Sequence, residues 1–192
     1  MFLARFDPSP PAPGVEAVDL VTLAEACVLR FAAVAQAKDI QLSAVSDGTR
    51  SILIGAPPAL ADRLCGVLLD NACRYAGAGG AVRVLVSVKS HLASLAFEDT
   101  GPGIPVEQRP FLFDRFSRGA DGGDGAGLGL AIADAVVRST GGKWHVADAP
   151  GGGARMEVRW RRLSDRASSV GEHMGRRPSA QRHEPDTPYR AS

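Results

Sequence analysis

The sequence predicts a two-layer α/β (α+β) sandwich in which a mixed β-sheet carries helices on one face. Three observations lead there: two amphipathic helical runs in the N-terminal half, two adjacent alternating stretches that read as a β-hairpin, and a third apolar helix followed by two further strand-like runs. With 192 residues, 45% of them hydrophobic, the chain can bury one ordinary core and has little left for a second. The expected organisation is a Pro-rich connector over 1–17, one domain over 18–162 and a disordered tail over 163–192.

Each element follows from local pattern. Pro8, Pro10, Pro11 and Pro13 favour an extended leading segment. Leu20, Leu23, Ala24, Cys27, Phe31 and Val34 then give helical spacing that ends near Lys38-Asp39, and β-rich stretches follow at 40–45 and 51–54. A second helix places Leu60, Leu64, Val67, Leu68 and Asn71 on one face. Asn71 therefore points where the core-facing residues point. The runs 82–88 and 92–98, joined around Lys89-Ser90, form the hairpin, with Val82, Val84, Val86 and Val88 alternating. From Asp99 to Gly129 the chain is rich in glycine, which predicts a long functional loop holding a short helix. A helix over about 128–139 stops at Gly141-Gly142, and strands over about 143–147 and 154–160 flank Pro150-Gly151-Gly152-Gly153.

Composition removes several function classes. The 22 basic and 21 acidic residues nearly cancel, so no overall field for binding nucleic acid is expected. Cys27, Cys65 and Cys73 lie in apolar helical patterns without CxxC spacing, which predicts buried free thiols and a reducing, cytoplasmic setting. No membrane segment is expected, since no apolar run approaches about 20 residues.

Four blocks carry the chemistry. LLDNACRY (68–75) sets Asn71, Arg74 and Tyr75 within about one helical turn, and an amide oxygen such as that of Asn71 is a hard ligand suited to Mg²⁺. In EDTGPGIP (98–105), Asp99 ends a strand before Gly101, Gly103 and Ile104, so a fixed carboxylate could accept a hydrogen bond from an exocyclic amine. FLFDRFSRG (111–119) puts Phe111, Phe113 and Phe116 beside Arg115 and Arg118; the phenylalanines could either form a partner surface or anchor the loop on the core. GAGLGLAI (125–132) runs Gly125, Gly127, Leu128, Gly129 and Leu130 into an apolar helix whose free N–H groups could receive phosphate. The last block is neither a P-loop nor a dinucleotide fingerprint.

In this order the blocks resemble the N box, first glycine box, F box and second glycine box of the ATP-binding catalytic domain of histidine kinases, over about residues 18–160. The resemblance implies a Bergerat-type fold that binds ATP and Mg²⁺. It implies that Asn71 holds the ion, that Asp99 selects the adenine amine, and that Arg74 and Tyr75 contact phosphate and adenine. Gly101, Gly103, Ile104, Gly125, Gly127, Leu128, Gly129 and Leu130 would line the nucleotide site. Arg115 and Arg118 would neutralise the triphosphate, with Asn71 and Arg118 as the catalytic pair. The segment from about Pro105 to Gly125 would be a lid that nucleotide orders.

Two absences shape the expected activity. Val67, one turn before Asn71, stands where histidine kinases have a second Asn and where gyrase-type ATPases and anti-sigma serine kinases have a Glu; valine neither binds metal nor accepts a proton. Residues 1–70 hold no histidine, and His183, within HEPDTP, is followed by Pro185, which would break an acceptor helix. The expected function is transfer of the γ-phosphoryl group of ATP to a histidine on a separate dimerisation and phosphotransfer protein, and through it to a response regulator. The alternatives are an anti-sigma-type serine kinase and an ATP sensor without transfer.

Overall fold

The computed structural model describes residues 16–114 and 128–163. The chain starts with β1 (Ala17–Asp19) and α1 (Leu20–Ala37), then β2 (Gln41–Ser46), β3 (Leu53–Gly55) and α2 (Pro58–Tyr75). The hairpin β4 (Ala81–Lys89) and β5 (Leu92–Asp99) leads to a 3-10 turn at Val106–Phe111, and α3 (Gly129–Ser139), β6 (Lys143–Asp148) and β7 (Ala154–Arg161) complete the fold. The main sheet has the order β2-β4-β5-β7-β6, with β2 parallel to β4 and the other pairs antiparallel. This is the mixed sheet that the sequence predicts. The expected strand at 51–54 is instead β3, which lies outside that sheet and pairs with β1.

Alternation decides which face is covered. Val82, Val84 and Val86 of β4, Ala93, Leu95 and Phe97 of β5, and Met156, Val158 and Trp160 of β7 point inward and are buried. Over them pack Leu64, Leu68, Leu69 and Ala72 of α2, Ala24 and Cys27 of α1, and Ala133, Val136 and Val137 of α3. The opposite face carries an ionic ladder. Arg83 pairs with Glu98 at 2.7 Å, Arg155 bridges Glu98 and Glu157, and Arg159 closes on Glu157 at 2.6 Å. Arg83 and Arg155 sit directly across from Glu98 in the register, so cross-strand pairing places opposite charges side by side.

The first strand was not expected; the helical spacing from Leu20 is the first element that the sequence predicts after the connector. The carboxylate of Asp19 caps α1 by accepting from the Val21 N–H at 2.9 Å and also accepts from the Ile52 N–H at 3.1 Å, so strand and helix meet at one side chain. Burial alone would raise the Asp19 pKa, but its hydrogen bonds to Ile52, Ser51, Val21 and Thr22 hold it below the ordinary value. Ile54 of β3 has Val18 on one side and Arg162 on the other, and the Leu163 N–H donates to the Leu53 carbonyl at 2.8 Å. All three cysteines are free and buried, as expected. At 18 residues, α1 does approach the length and apolarity of a membrane span, unlike the expectation, yet Leu20, Ala24, Cys27 and Ala35 are buried in the core.

Candidate nucleotide site

Two elements bring the principal residues together. On α2, Leu68, Asn71, Ala72 and Tyr75 share a face by their spacing of three and four, and all four line a cavity of about 510 Å³. From the sheet, Phe97 and Asp99 at the end of β5 and Ala154 and Met156 at the start of β7 form its floor. The wall is the segment Pro102–Pro105 with Glu107, Gln108, Phe111 and Leu112, and Leu130 closes the cavity from α3. Asn71, Tyr75, Asp99, Gly103, Ile104 and Leu130 thus converge from separate blocks of sequence.

Asp99 is the buried charge of the cavity, 8% exposed. Its Oδ1 accepts from the backbone N–H groups of Gly101 at 2.9 Å and Ala154 at 3.2 Å, which fixes the carboxylate and leaves Oδ2 with acceptor capacity. Burial pushes its pKa up from the ordinary value, and the two backbone bonds offset that only in part. A carboxylate held this way is suited to accepting from a donor on a ligand.

Glycines permit this closeness. A Cβ at Gly153 would come within 1.9 Å of the Asp99 carbonyl oxygen, and Gly153 has φ +86°, so the β6–β7 turn can pass behind Asp99 only without a side chain. At Gly101 a Cβ would lie 2.3 Å from the Tyr75 carbonyl oxygen. Gly101 therefore joins the end of α2 to the end of β5.

Other expected residues lie elsewhere. Arg74 turns back to Asp70 at 3.3 Å, one helical turn away, and does not line the cavity. Gly101, Leu128 and Gly129 are not among the lining residues either, although Gly129 opens α3 beside the cavity-lining Leu130. Arg115, Phe116, Arg118, Gly125, Gly127 and the tail with His183 lie outside the described residues. The remaining phenylalanines divide between the two readings: Phe113 stacks on Trp144 of β6 with ring centroids 4.6 Å apart, while Phe111 is 59% exposed at the cavity rim. Trp144 in turn donates to Asp134 of α3 at 3.1 Å. The chain around Phe113 is thereby anchored to the core through β6.

The site contains few groups for a metal. Among the described residues no three His, Cys, Asp or Glu side chains gather to bind one. Val67 packs where a second ligand would stand, with its Cγ1 3.5 Å from the position a Cβ would take on Gly129. A single amide oxygen from Asn71 fits a Mg²⁺ ion carried in by phosphates, because that ion keeps several waters and phosphate oxygens as ligands.

Sequence reasoning missed Arg109. Its Nε donates to the Ile104 carbonyl at 3.0 Å and its Nη2 to Asp148 Oδ1 at 2.6 Å. No spacing rule links residues 39 apart on a loop and a strand end.

Known proteins agree with this geometry. The family model of histidine kinase-, DNA gyrase B- and HSP90-like ATPases matches residues 57–164, more than half of the chain. A probable sensor histidine kinase of Mycobacterium tuberculosis is 33% identical over 81% of this chain and 40% of its own length. The sensor protein kinase PmrB of Pseudomonas aeruginosa is 34% identical over 71% of this chain and 28% of its own. The chain therefore spans less than half the length of these curated relatives. Among solved structures, the mycobacterial sensor histidine kinase MprB superposes with TM-score 0.66 at 28% identity, covering 77% of this chain and 97% of that one. The ATP-binding domain of PrrB from Mycobacterium tuberculosis gives TM-score 0.64 at 25% identity over 78% of this chain and 98% of that one. The chain belongs to the histidine kinase-, DNA gyrase B- and HSP90-like ATPase family, as an ATP-binding domain of the histidine-kinase kind.

Proposed function

We propose that this domain binds ATP in the cavity between α2, β5 and the 102–112 segment and passes the γ-phosphoryl group in trans to a histidine on a dimerisation and phosphotransfer protein, which then serves a response regulator. The observation that carries the reading is the convergence of Asn71 and Asp99, from different elements, on one cavity of about 510 Å³. Asp99 accepts from the adenine exocyclic amine through Oδ2. Tyr75 and Ile104 wall the base, and Asn71 faces the triphosphate end. Bound Mg²⁺ would neutralise phosphate charge, with Asn71 as its protein ligand. Arg115 and Arg118 are proposed to approach the phosphates from the lid, with Gly125, Gly127, Leu128 and Gly129 lending backbone at the helix start. Arg74 reaches phosphate by leaving Asp70; this exposed pair costs well under about 1 kcal/mol to break.

Among the described residues the histidines are His91, at the β4–β5 turn, and His145, in β6, neither on a helix, so the proposed imidazole is that of another protein. The test has two stages. Calorimetry should show ATP binding and at least tenfold weaker GTP binding, because guanine presents an acceptor carbonyl to Asp99. Labelled ATP with candidate dimerisation domains should then yield acid-labile label on the second chain and none on this one, with Asn71→Ala abolishing transfer. Label on His183, or equal GTP affinity, would overturn the reading.

Val67 favours a second reading. With an aliphatic side chain packed toward Gly129 in place of a polar ligand, the domain could act as an ATP sensor that controls a partner without transfer. ATP binding with no transfer to any candidate domain would select it. An anti-sigma-type serine kinase needs a base at that position, which valine does not supply.

A further inference from the structure

We infer that Arg109 is a positioning residue of the nucleotide site, a clamp that ties the cavity wall at 102–112 to the β6–β7 turn and so sets how long nucleotide stays bound. The inference rests on the nucleotide reading of the cavity, but its geometry is independent of any ligand. Arg109 does not line the cavity, whereas Glu107, Gln108 and Phe111 around it do. Its side chain is 21% exposed and pairs with an Asp148 that is 71% exposed, outside the cavity.

Two bonds give it purchase on both sides of a seam. Within its own segment, Nε holds the carbonyl of Ile104, itself a wall residue, so the stretch 104–109 closes on itself. Across the seam, Nη2 reaches Asp148, the last residue of β6, at 2.6 Å. The same seam is close elsewhere. A Cβ on Gly103 would lie 3.3 Å from the Gly153 carbonyl and 3.9 Å from Asp148 Oδ1, and the Ala154 N–H donates to Asp99. The β6–β7 turn thus touches the wall at Gly103, the base-selecting carboxylate at Asp99, and the wall again through Arg109.

On this inference, nucleotide leaves as the wall moves from the sheet. Of the polar contacts along the seam, the Arg109–Asp148 pair is the charged one that such a movement must break. Phe113 on Trp144 anchors the far end of the same segment, so the stretch between these two anchors is short.

The test compares wild type with Arg109→Ala, Asp148→Asn and the double variant. Stopped-flow release of a fluorescent ATP analogue and amide exchange of residues 102–111 without nucleotide are both measured. Release should quicken roughly 3- to 10-fold in Arg109→Ala and about 2- to 4-fold in Asp148→Asn, with the double variant no faster than Arg109→Ala. Exchange in 102–111 should rise in the same order, while α2 and β5 keep their protection. Asp148 is 71% exposed, so its variant keeps the fold and carries the test even if Arg109→Ala unfolds. Additive effects in the double variant, or Asp148→Asn with wild-type release and exchange, would overturn the clamp. If wild type bound no analogue, the nucleotide reading would fall, and the exchange measurement would still decide the clamp.

Discussion

Glu98 and Asp99 are neighbours in sequence, both carboxylates and both nearly inaccessible, at 3% and 8% exposure, yet β5 sends them to opposite faces and opposite uses. Glu98 is enclosed by Arg83 and Arg155, a neutralised charge on the sheet face opposite the described helices. Asp99 meets only backbone N–H groups at Oδ1 and is bordered by a cavity. Burial is the same in both cases; compensation is not. A carboxylate whose desolvation is offset by guanidinium stabilises the sheet, whereas one left partly uncompensated keeps capacity for a ligand at some cost to the fold.

The comparison breaks most severely if the backbone behind Asp99 is displaced. Gly153→Ala should destabilise the fold by at least about 2 kcal/mol and weaken ATP binding too, since its Cβ must push the Asp99 carbonyl aside at a positive φ. Urea unfolding together with calorimetry checks this; normal values for both would show that the turn does not support Asp99. Next, Asp99→Asn should weaken ATP binding roughly 10- to 100-fold by removing a charge-assisted bond. It should also raise Tm by about 1–3 °C, because an amide escapes the desolvation penalty. Loss of stability in this variant would show that Asp99 is structural like Glu98.

On the other face the sign reverses. Glu157→Gln should cost about 1–2 kcal/mol, less than a fully buried pair because Arg155 and Arg159 remain 24% and 42% exposed, and should leave nucleotide affinity unchanged. Changed affinity would mean that the ladder shapes the cavity floor. The smallest effect is in pH. Burial would raise the Glu157 pKa, but the Arg159 and Arg155 guanidiniums overcome it and hold the group below its ordinary 4.5, so its stabilisation is present above that value and is lost as pH falls below it. The Asp99 pKa is raised by burial, so its ionised form costs stability in full above the raised value, and that cost shrinks as pH falls below it and is gone below the ordinary 3.8. Nucleotide binding should weaken over the same fall, ahead of the ladder's loss. Binding and unfolding titrations that moved together would remove the distinction between the two carboxylates.

This contrast was only half legible in sequence. Asn71 and Asp99 could be placed from local pattern: Asn71 falls three residues after Leu68 on the apolar face, and Asp99 ends the second run of the hairpin, just before Gly101. Glu98 and Glu157 carry no signal of their pairing, since nothing in the sequence states the register that sets Arg83 and Arg155 beside them. Arg74 was matched to phosphate through its motif, although Asp70, one turn earlier, offered a local partner that the helix spacing alone reveals. β1 has three residues, too few to show alternation against the helical pattern that follows. The stacking of Phe113 on Trp144 and the Arg109 clamp join distant segments, so only tertiary structure could show them.

The pairing at β3 has one more consequence. Val18 and Arg162 flank the same residue, Ile54, from either side, so the first and last strand segments of the described residues lie two strand spacings apart, about 10 Å. A piece cut at two such neighbouring points, near residues 16 and 163, could be spliced into an exposed loop of another protein without prying the host apart. A linker of only about four residues would span the gap and allow the order of its segments to be permuted, with new ends opened at an exposed turn such as Lys89-Ser90.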